Sequence, residues 1–156
     1  TIAGQTMRDW GRDFCRMARP LTAGEILLGD GHCSGAEEYE NLARAGIDRV
    51  LPAEFADTAR WAARVQALAD RVDAIYLMVD VDILRNEYIP AYFRPEPGGH
   101  ALETVLGNVR AVMRTGKVLA FSCFCVDFDK YAQGGETTFE SGRQIIEAGL
   151  AAWAET

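Results

Sequence analysis

The sequence contains few of the side chains that usually bind zinc or form disulfides. Its 156 residues include two histidines and four cysteines, which are His32, His100, Cys15, Cys33, Cys123 and Cys125. No two cysteines have the C-x-x-C spacing, and the cysteines and histidines together form no zinc-like set. Free thiols are therefore expected, with Cys123 buried in an apolar strand. A reducing cytoplasm is the expected compartment.

Basic charge and long apolar runs are also scarce. Lys and Arg number 16 against 23 Asp and Glu, which gives a net charge of −7. No basic patch offsets this charge, so nucleic acid and anionic membranes are disfavoured as partners. No apolar run approaches the ~20 residues that a helix needs to span a bilayer, and no signal peptide is evident. Because the chain begins at Thr1 rather than at a methionine, a processed or trimmed chain is expected.

The chain does contain a regular alternation of helical and extended segments. Helices are predicted at 34–45, 54–72, 101–113 and 138–153, and strands at 47–52, 74–79 and 118–126, whereas residues 1–33 have no regular period. Such alternation predicts right-handed crossovers and a mainly parallel sheet with helices on both faces, which is an α/β fold. A length of 156 residues suits one domain, so residues 1–156 are expected to form a single α/β unit.

Some helix boundaries and buried faces can also be predicted. Ser34 has the position of an N-cap, with Glu37 completing a capping box. The spacing of apolar residues predicts an inward face in the third helix made of Leu102, Val105, Leu106, Val109, Val112 and Met113. The same criterion predicts inward side chains in the last helix at Ile145, Ile146, Leu150 and Trp153.

Two aspartates, Asp80 and Asp82, mark the most informative position in the chain. They follow the apolar run at 74–79 and precede a loop rich in proline and glycine. Side chains two apart in a strand point to the same side, so the two carboxylates are expected to converge. Open α/β sheets bind ligands at the carboxyl ends of their strands, where paired carboxylates suit a metal or acid–base chemistry. The alternative, in an acidic chain, is a turn former beside a solvated charge.

The loop behind the two aspartates resembles the signature of the ureohydrolases, which include arginases, agmatinases and formimidoylglutamases. Their D-x-D-x-L-D-P is followed by two prolines and a Gly-Gly at intervals that this sequence matches at Leu84, Pro90, Pro95, Gly98 and Gly99. Arg85-Asn86 replaces the usual Asp-Pro. Weaker similarities to family segments occur at Gly11-Arg12-Asp13, Glu38-Tyr39 and Gly116-Lys117-Val118.

The resemblance implies an arginase-like three-layer α/β/α fold, of which this chain would form the C-terminal half. It also implies two Mn²⁺ ions per complete site, with Asp80 and Asp82 among their ligands. A hydroxide bridged by the two ions would then cleave the C–N bond of a linear amidine, either a guanidino or a formimino compound. Aspartate oxygens and imidazoles are ligands that suit Mn²⁺.

Other parts of the family pattern are missing. The family motifs G-G-D-H and D-A-H-x-D are absent, and Gly29-Asp30-Gly31-His32 has a different spacing from the first of them. His32 is therefore expected in a loop near the rim of the pocket or at the surface. The remaining metal ligands are expected from a missing N-terminal half or from a partner chain. Oligomers are common among relatives, so a homo-oligomer is also expected.

The substrate side also departs from the family. Where arginases have E-V-N-P, with the glutamate on the guanidinium, this chain places Cys125 at the glutamate and Asp127 at the asparagine. A thiol cannot pair with a guanidinium as a carboxylate does, so a shifted register or an unusual substrate is equally compatible. His100 follows Gly98-Gly99 and is expected either near the mouth of the site or at a solvent-facing helix start. Cys125, Asp127 and His100 are the substrate-binding candidates.

Three functional hypotheses follow from the sequence. The first is a ureohydrolase-like, metal-dependent C–N hydrolase that acts on a small molecule. The second is a catalytically degenerate ureohydrolase-like subunit that binds or stabilises a partner. The third is an unrelated α/β binding domain. No Walker loop, G-x-G-x-x-G turn or nucleophile elbow points to another enzyme class.

Overall fold

The alternation of helices and strands is confirmed. A computed structural model of the chain describes residues 19, 21–32, 35–92, 97–126 and 135–156. In chain order the elements are β1 (Leu27–Gly29), α1 (Ala36–Ala45), β2 (Asp48–Val50), α2 (Pro52–Ala56), α3 (Thr58–Ala69), β3 (Ile75–Asp80), α4 (Leu102–Met113), β4 (Val118–Phe124) and α5 (Glu136–Trp153). Strand β1 lies in a region for which no element was predicted.

The strands form two parallel pairs rather than one sheet. Strand β1 pairs with β2, and β3 pairs with β4, each in parallel register. Within the described residues no strand joins the two pairs. One apolar core nevertheless runs under both, and it includes Val50 of β2, Val79 of β3 and Val118 of β4. Parallel pairs normally belong to larger sheets that are covered on both faces, so each pair has the character of a sheet fragment.

Helix α4 lies at the centre of the core, and its predicted inward face is confirmed at all six positions. It packs between α3 and α5. Trp61 of α3 donates its indole N–H to the carbonyl of Asn108 at 3.0 Å, and the Asn108 amide donates to the carbonyl of Phe55 at 2.7 Å. These two bonds link α2, α3 and α4. They also give hydrogen-bond partners to buried polar groups, which would destabilise the fold if left unpaired.

Two predicted helix boundaries are wrong. The helix over 54–72 is broken at Asp57, whose carboxylate accepts hydrogen bonds from the amides of Ala59 and Arg60 at 3.1 Å each and so caps α3. Helix α1 begins at Ala36, two residues after the start of the predicted 34–45 helix, with Gly35 as its N-cap and the Glu38 carboxylate bonded to the Gly35 amide at 2.9 Å. Ser34 lies outside the described residues.

Two of the predicted inward residues of α5 are wrong. Ile145 is buried and Trp153 is half-buried, but Ile146 and Leu150 are exposed. The buried stripe of α5 includes Gly142 and Gly149, and a Cβ at Gly149 would lie 2.5 Å from the ring of Phe121. The helix approaches the sheet through its smallest residues, which turns the larger apolar side chains away.

One face of the β3–β4 pair is open. Tyr76 and Met78 of β3 are 58% and 52% exposed, and Phe124 of β4 is also exposed. Phe124 pairs with Asp80 in the register of the strands, so alternation places all four side chains on one side of the pair. The opposite side packs on the core. Within the described residues, no helix combines the length and hydropathy needed to cross a membrane.

Candidate metal site

Asp80 and Asp82 lie at the carboxyl end of β3, as predicted, although only Asp80 is in the strand. Asp82 lies in a single turn of 3-10 helix, Val81–Ile83, that follows directly. The Asp80 side chain caps this turn by accepting a hydrogen bond from the Asp82 amide at 3.2 Å. Val81, between them, is fully buried. Burial of Val81 anchors the turn and leaves both carboxylates half-buried at the rim of the core.

Tyr92 and Cys125 bring the two carboxylates into one cluster. The Tyr92 hydroxyl donates to the Asp82 carboxylate at 3.2 Å, and the Cys125 thiol donates to the Asp80 carboxylate at 3.1 Å. Burial, followed by the charges of Asp82 and Asp80, raises the pKa of Tyr92. Burial and the Asp80 carboxylate also raise the pKa of Cys125. Both groups therefore stay protonated at neutral pH and act as hydrogen-bond donors.

Cys123 and Cys125 differ in exposure. Cys123 is half-buried, and burial, followed by the charge of Asp80, raises its pKa to about 11. Cys125 is exposed and has a φ of 64°, a left-handed conformation that is uncommon for a residue with a Cβ. This turn at the end of β4 directs the thiol toward Asp80. Asp127 lies outside the described residues.

A shallow groove of about 280 Å³ adjoins this cluster without including either aspartate. It runs along the end of β4 and α5, and its lining is Cys123, Phe124, Cys125, Val126, Phe139, Gly142, Arg143 and Ile146. The lining is mainly apolar, and the guanidinium of Arg143 is paired with Glu140 and Glu147. The polar chemistry of this region is therefore on the aspartate side of Cys125 rather than in the groove.

The two histidines are gathered into a second, buried cluster around Asp30. One carboxylate oxygen of Asp30 accepts from His100 Nε2 at 2.6 Å and from His32 Nδ1 at 2.9 Å. Asp30 is fully buried and His100 is buried. The surface position expected for His32 is wrong, since its side chain is only 11% exposed. The solvent-facing alternative for His100 is wrong for the same reason.

The Asp30 carboxyl is held ionised against its burial. Burial raises its pKa, but the hydrogen bonds and charges of His100 and His32 act in the opposite direction and leave the pKa below its ordinary value. The other carboxylate oxygen of Asp30, and Nε2 of His32, are buried without a hydrogen-bond partner among the described residues. This cluster is separate from the bonds that join Asp80, Asp82, Tyr92 and Cys125.

Comparison with known proteins identifies the family. The family model described as "Arginase family" matches residues 17–149. The chain belongs to the arginase family. A formimidoylglutamase from Citrobacter koseri is 36% identical over 91 residues, which cover 57% of this chain and 28% of that protein.

Solved members of the arginase family share the fold. An arginase from Bacillus caldovelox superposes with a TM-score of 0.72 at 15% identity and covers 87% of this chain, which in turn covers 45% of the arginase. A formimidoylglutamase from Bacillus subtilis has a TM-score of 0.72 at 14% identity, covering 83% of this chain and 41% of its own. The chain therefore has an arginase-like α/β fold and spans less than half the length of these relatives.

Two side chains at the end of β3 have the chemistry that a divalent metal requires of its ligands. The carboxylates of Asp80 and Asp82 are hard oxygen donors of the kind that Mn²⁺ prefers. No group of three or more His, Cys, Asp or Glu side chains within the described residues is arranged to hold a metal ion. A hard divalent ion takes about six ligands. Asp80 and Asp82 are thus two suitable oxygen donors, fewer than such an ion takes.

Sequence reasoning missed Tyr92 and Asp30. Tyr92 is in the recognised loop, but the family pattern assigns it nothing, and its position ten residues after Asp82 follows no period. Asp30 lies in Gly29-Asp30-Gly31-His32, where the family resemblance draws attention to the histidine rather than to the aspartate. Asp30 has a φ of 65°, and aspartate is one of the residue types that adopt this left-handed conformation more often than most.

Proposed function

We propose that the complete protein is a metal-dependent hydrolase of linear amidines, with this chain forming one side of a two-manganese site. The observation that carries the proposal is the pair of carboxylates at the end of β3, which accept hydrogen bonds from Tyr92 and Cys125. Family membership supports the reaction class, and the position at the carboxyl end of a parallel strand is where α/β sheets bind their ligands.

Within this site each side chain has a defined part. Asp80 and Asp82 would hold the metal ions, and the Tyr92 hydroxyl donates a hydrogen bond to the Asp82 carboxylate at 3.2 Å. Such outer-shell bonds orient a ligand and tune its basicity. When bound, two divalent ions supply activated water for attack on the amidine carbon. The remaining ligands come from the rest of the ureohydrolase domain.

The substrate side is proposed at Cys125, Asp127 and His100. The thiol of Cys125 carries no charge at neutral pH, so it cannot hold a guanidinium as a carboxylate would. Asp127 is the candidate for the cationic end of the amidine. His100 is buried against Asp30, which favours a supporting role over direct contact with a substrate.

The open surface of the chain supports a second half of the domain. Tyr76, Met78 and Phe124 are exposed on the face of β3–β4 that bears Asp80, and exposed apolar patches of this kind mark interaction surfaces. We propose that the complementary half of the ureohydrolase domain covers this face, in the same polypeptide or as a partner chain. Docking of this half would add the remaining metal ligands beside Asp80. Assembly of complete domains into a homo-oligomer is proposed in addition.

The test is metal analysis and turnover of the intact native protein. We expect about two Mn²⁺ per complete assembly, and release of urea or formamide from L-arginine, agmatine or N-formimidoyl-L-glutamate after Mn²⁺ is added. Asp80→Asn and Asp82→Asn should remove both. Fewer than one Mn²⁺ per assembly, together with no urea or formamide, would contradict the proposal.

A second candidate is a catalytically degenerate subunit that binds or stabilises a partner. The contact of the Cys125 thiol with Asp80 favours it, because the thiol occupies a carboxylate oxygen that a metal would use. This candidate predicts that Asp80→Ala and Asp82→Ala leave the partner complex and its activity unchanged. The metal analysis above separates the two candidates.

A further inference from the structure

Burial of the Asp30 carboxylate costs desolvation free energy. Asp30 is fully buried, and an ionised carboxylate in the interior is tolerated only when it is paired and hydrogen-bonded. Its backbone is fixed to the β1–β2 pair, since its amide donates to the carbonyl of Val50 at 2.9 Å and its carbonyl accepts from Arg49 Nε at 2.6 Å. Asp30 is therefore a rigid buried anchor on the first strand pair.

The partner of this anchor, His100, is bonded to the segment that follows Asp82. The His100 amide donates to the carbonyl of Ile83 at 2.9 Å, and its carbonyl accepts from the Arg85 amide at 3.0 Å. These bonds form a parallel bridge between Leu84 and His100. His100 thus holds the backbone immediately after the 3-10 turn that contains Asp82.

Gly99 makes this contact possible. A Cβ at Gly99 would lie 2.6 Å from the carbonyl carbon and oxygen of Leu84, and its φ of 81° favours glycine. The backbone of the 97–100 segment can therefore lie directly against the 83–85 segment. A short path then joins the buried carboxylate to the metal side of the molecule, from Asp30 through His100 and Ile83 to Asp82.

We propose that Asp30 and His100 are positioning residues for Asp82. The Asp30–His100 hydrogen bond clamps the loop end onto the first strand pair and so fixes the 3-10 turn in the orientation that Mn²⁺ binding requires. Neither residue binds the metal. The inference rests on the proposed metal-dependent function, and its structural part can be measured without metal.

The experiment compares His100→Leu, which cannot donate to Asp30, with His100→Gln, which retains an N–H donor. Each variant is made in the complete protein. Amide hydrogen exchange is measured at Asp82 and Arg85 without metal, and Mn²⁺ affinity is measured by electron paramagnetic resonance. Lys117→Met is the matched control. Lys117 donates to the carbonyls of Ala69 and Val72 at 2.5 and 2.7 Å, near the opposite end of β4.

We expect His100→Leu to speed exchange at the Asp82 and Arg85 amides at least tenfold more than at the α4 amides. Mn²⁺ affinity should fall by about 10- to 100-fold, as for the loss of other outer-shell partners. His100→Gln should keep both closer to wild type than His100→Leu does, with Mn²⁺ affinity lowered by less than about 10-fold. Lys117→Met should lower stability without changing Mn²⁺ affinity or the exchange rates at the Asp82 and Arg85 amides relative to the α4 amides.

Unchanged exchange at Asp82 and Arg85 in His100→Leu would overturn the clamp, whatever the metal result. Equal loss of Mn²⁺ affinity in Lys117→Met would overturn the assignment by showing that general destabilisation is sufficient. If wild type binds no Mn²⁺ while His100→Leu still speeds exchange at these amides, the proposed metal function fails and the clamp stands as structure alone.

Discussion

The same residue type has opposite surroundings in two regions of this molecule. Asp80 and Asp82 are half-buried at the edge of an open sheet face, where a thiol and a phenol reach them. Asp30 is sealed in the core, where two imidazoles share one of its oxygens. The first pair is partly open to solvent, whereas the second carboxylate is enclosed by the protein. The surroundings of a carboxylate therefore matter more to its proposed role than its residue type does.

The largest expected effect is the loss of metal binding in Asp82→Asn. Mutation of an outer-shell partner typically lowers metal affinity 10- to 100-fold, so loss of a ligand should lower Mn²⁺ affinity about 100-fold or more. Its free energy of unfolding should change by no more than about 0.5 kcal/mol, since the site is not sealed. Mn²⁺ titration and urea denaturation measure the two effects. Asp70→Asn, on the exposed end of α3, is the control, and unchanged Mn²⁺ affinity in Asp82→Asn would contradict the assignment.

Asp30→Asn should show the reverse pattern in stability. Hydrogen bonds to charged groups contribute about 1.5–3 kcal/mol, so the free energy of unfolding should fall by about that amount. Asparagine tolerates the left-handed backbone, which removes conformational strain as a cause. Urea denaturation at pH 7 measures the loss. A change no larger than that of Asp70→Asn would show that the Asp30 cluster is not stabilising.

The loss in free energy of unfolding caused by Asp30→Asn should depend on pH. His100 and His32 hold the Asp30 pKa below its ordinary value, and the unfolded value is about 3.9. A lowered folded pKa contributes stability that is fully present above the unfolded pKa and is lost as pH falls through the folded pKa. The difference in free energy of unfolding should therefore be largest above about pH 5 and should shrink below about pH 4. If the difference in free energy of unfolding between wild type and Asp30→Asn grows as pH falls, this prediction is contradicted.

The comparison can be extended to the open face that bears Asp80. Met78→Lys should destabilise the complete protein by about 2 kcal/mol, the range for burying a methionine, because we propose that the other half of the domain covers it. Leu51→Lys, at an exposed site outside the β3–β4 pair, should change stability by no more than about 0.5 kcal/mol. Thermal unfolding of the complete protein measures both. Equal, small effects would mean that the face stays open.

The smallest expected effect is that of Tyr92→Phe. Removal of the hydroxyl that holds Asp82 should lower Mn²⁺ affinity about tenfold and the free energy of unfolding by about 1 kcal/mol. Tyr76→Phe is the matched control, because the Tyr76 hydroxyl bonds Ser122 at 2.9 Å on the exposed face. If both variants bind Mn²⁺ equally well, Tyr92 does not orient Asp82.

Local patterns predicted the parts of the fold that local physics decides. The inward face of α4 follows from helical spacing, and the positions of β3 and of Asp80 follow from an apolar run and its end. The break at Asp57 was missed because the apolar period continues across it, while the cap depends on one short side chain. Apolar spacing predicts Ile146 and Leu150 inward, because it cannot show that Gly142 and Gly149 make the closer contact.

The candidate site was predicted in part for a similar reason. Asp80 and Asp82 are neighbours in sequence, so their spacing carried the information. The Asp30–His100 bond joins residues 70 positions apart, and no periodicity reports a contact of that range. The separation of the strands into two pairs is also a property of the assembled sheet rather than of any single strand.

The Asp30–His100 bond has a thermodynamic consequence beyond geometry. It joins the first strand pair to the loop that begins at the end of the second, so displacement of one pair relative to the other is coupled to the orientation of Asp82. Linkage is reciprocal. If docking of the strand pairs favours cation binding at Asp82, cation binding favours their docking by the same coupling free energy. A saturating cation would therefore raise the unfolding temperature of the whole molecule, and dilution of the cation would lower it.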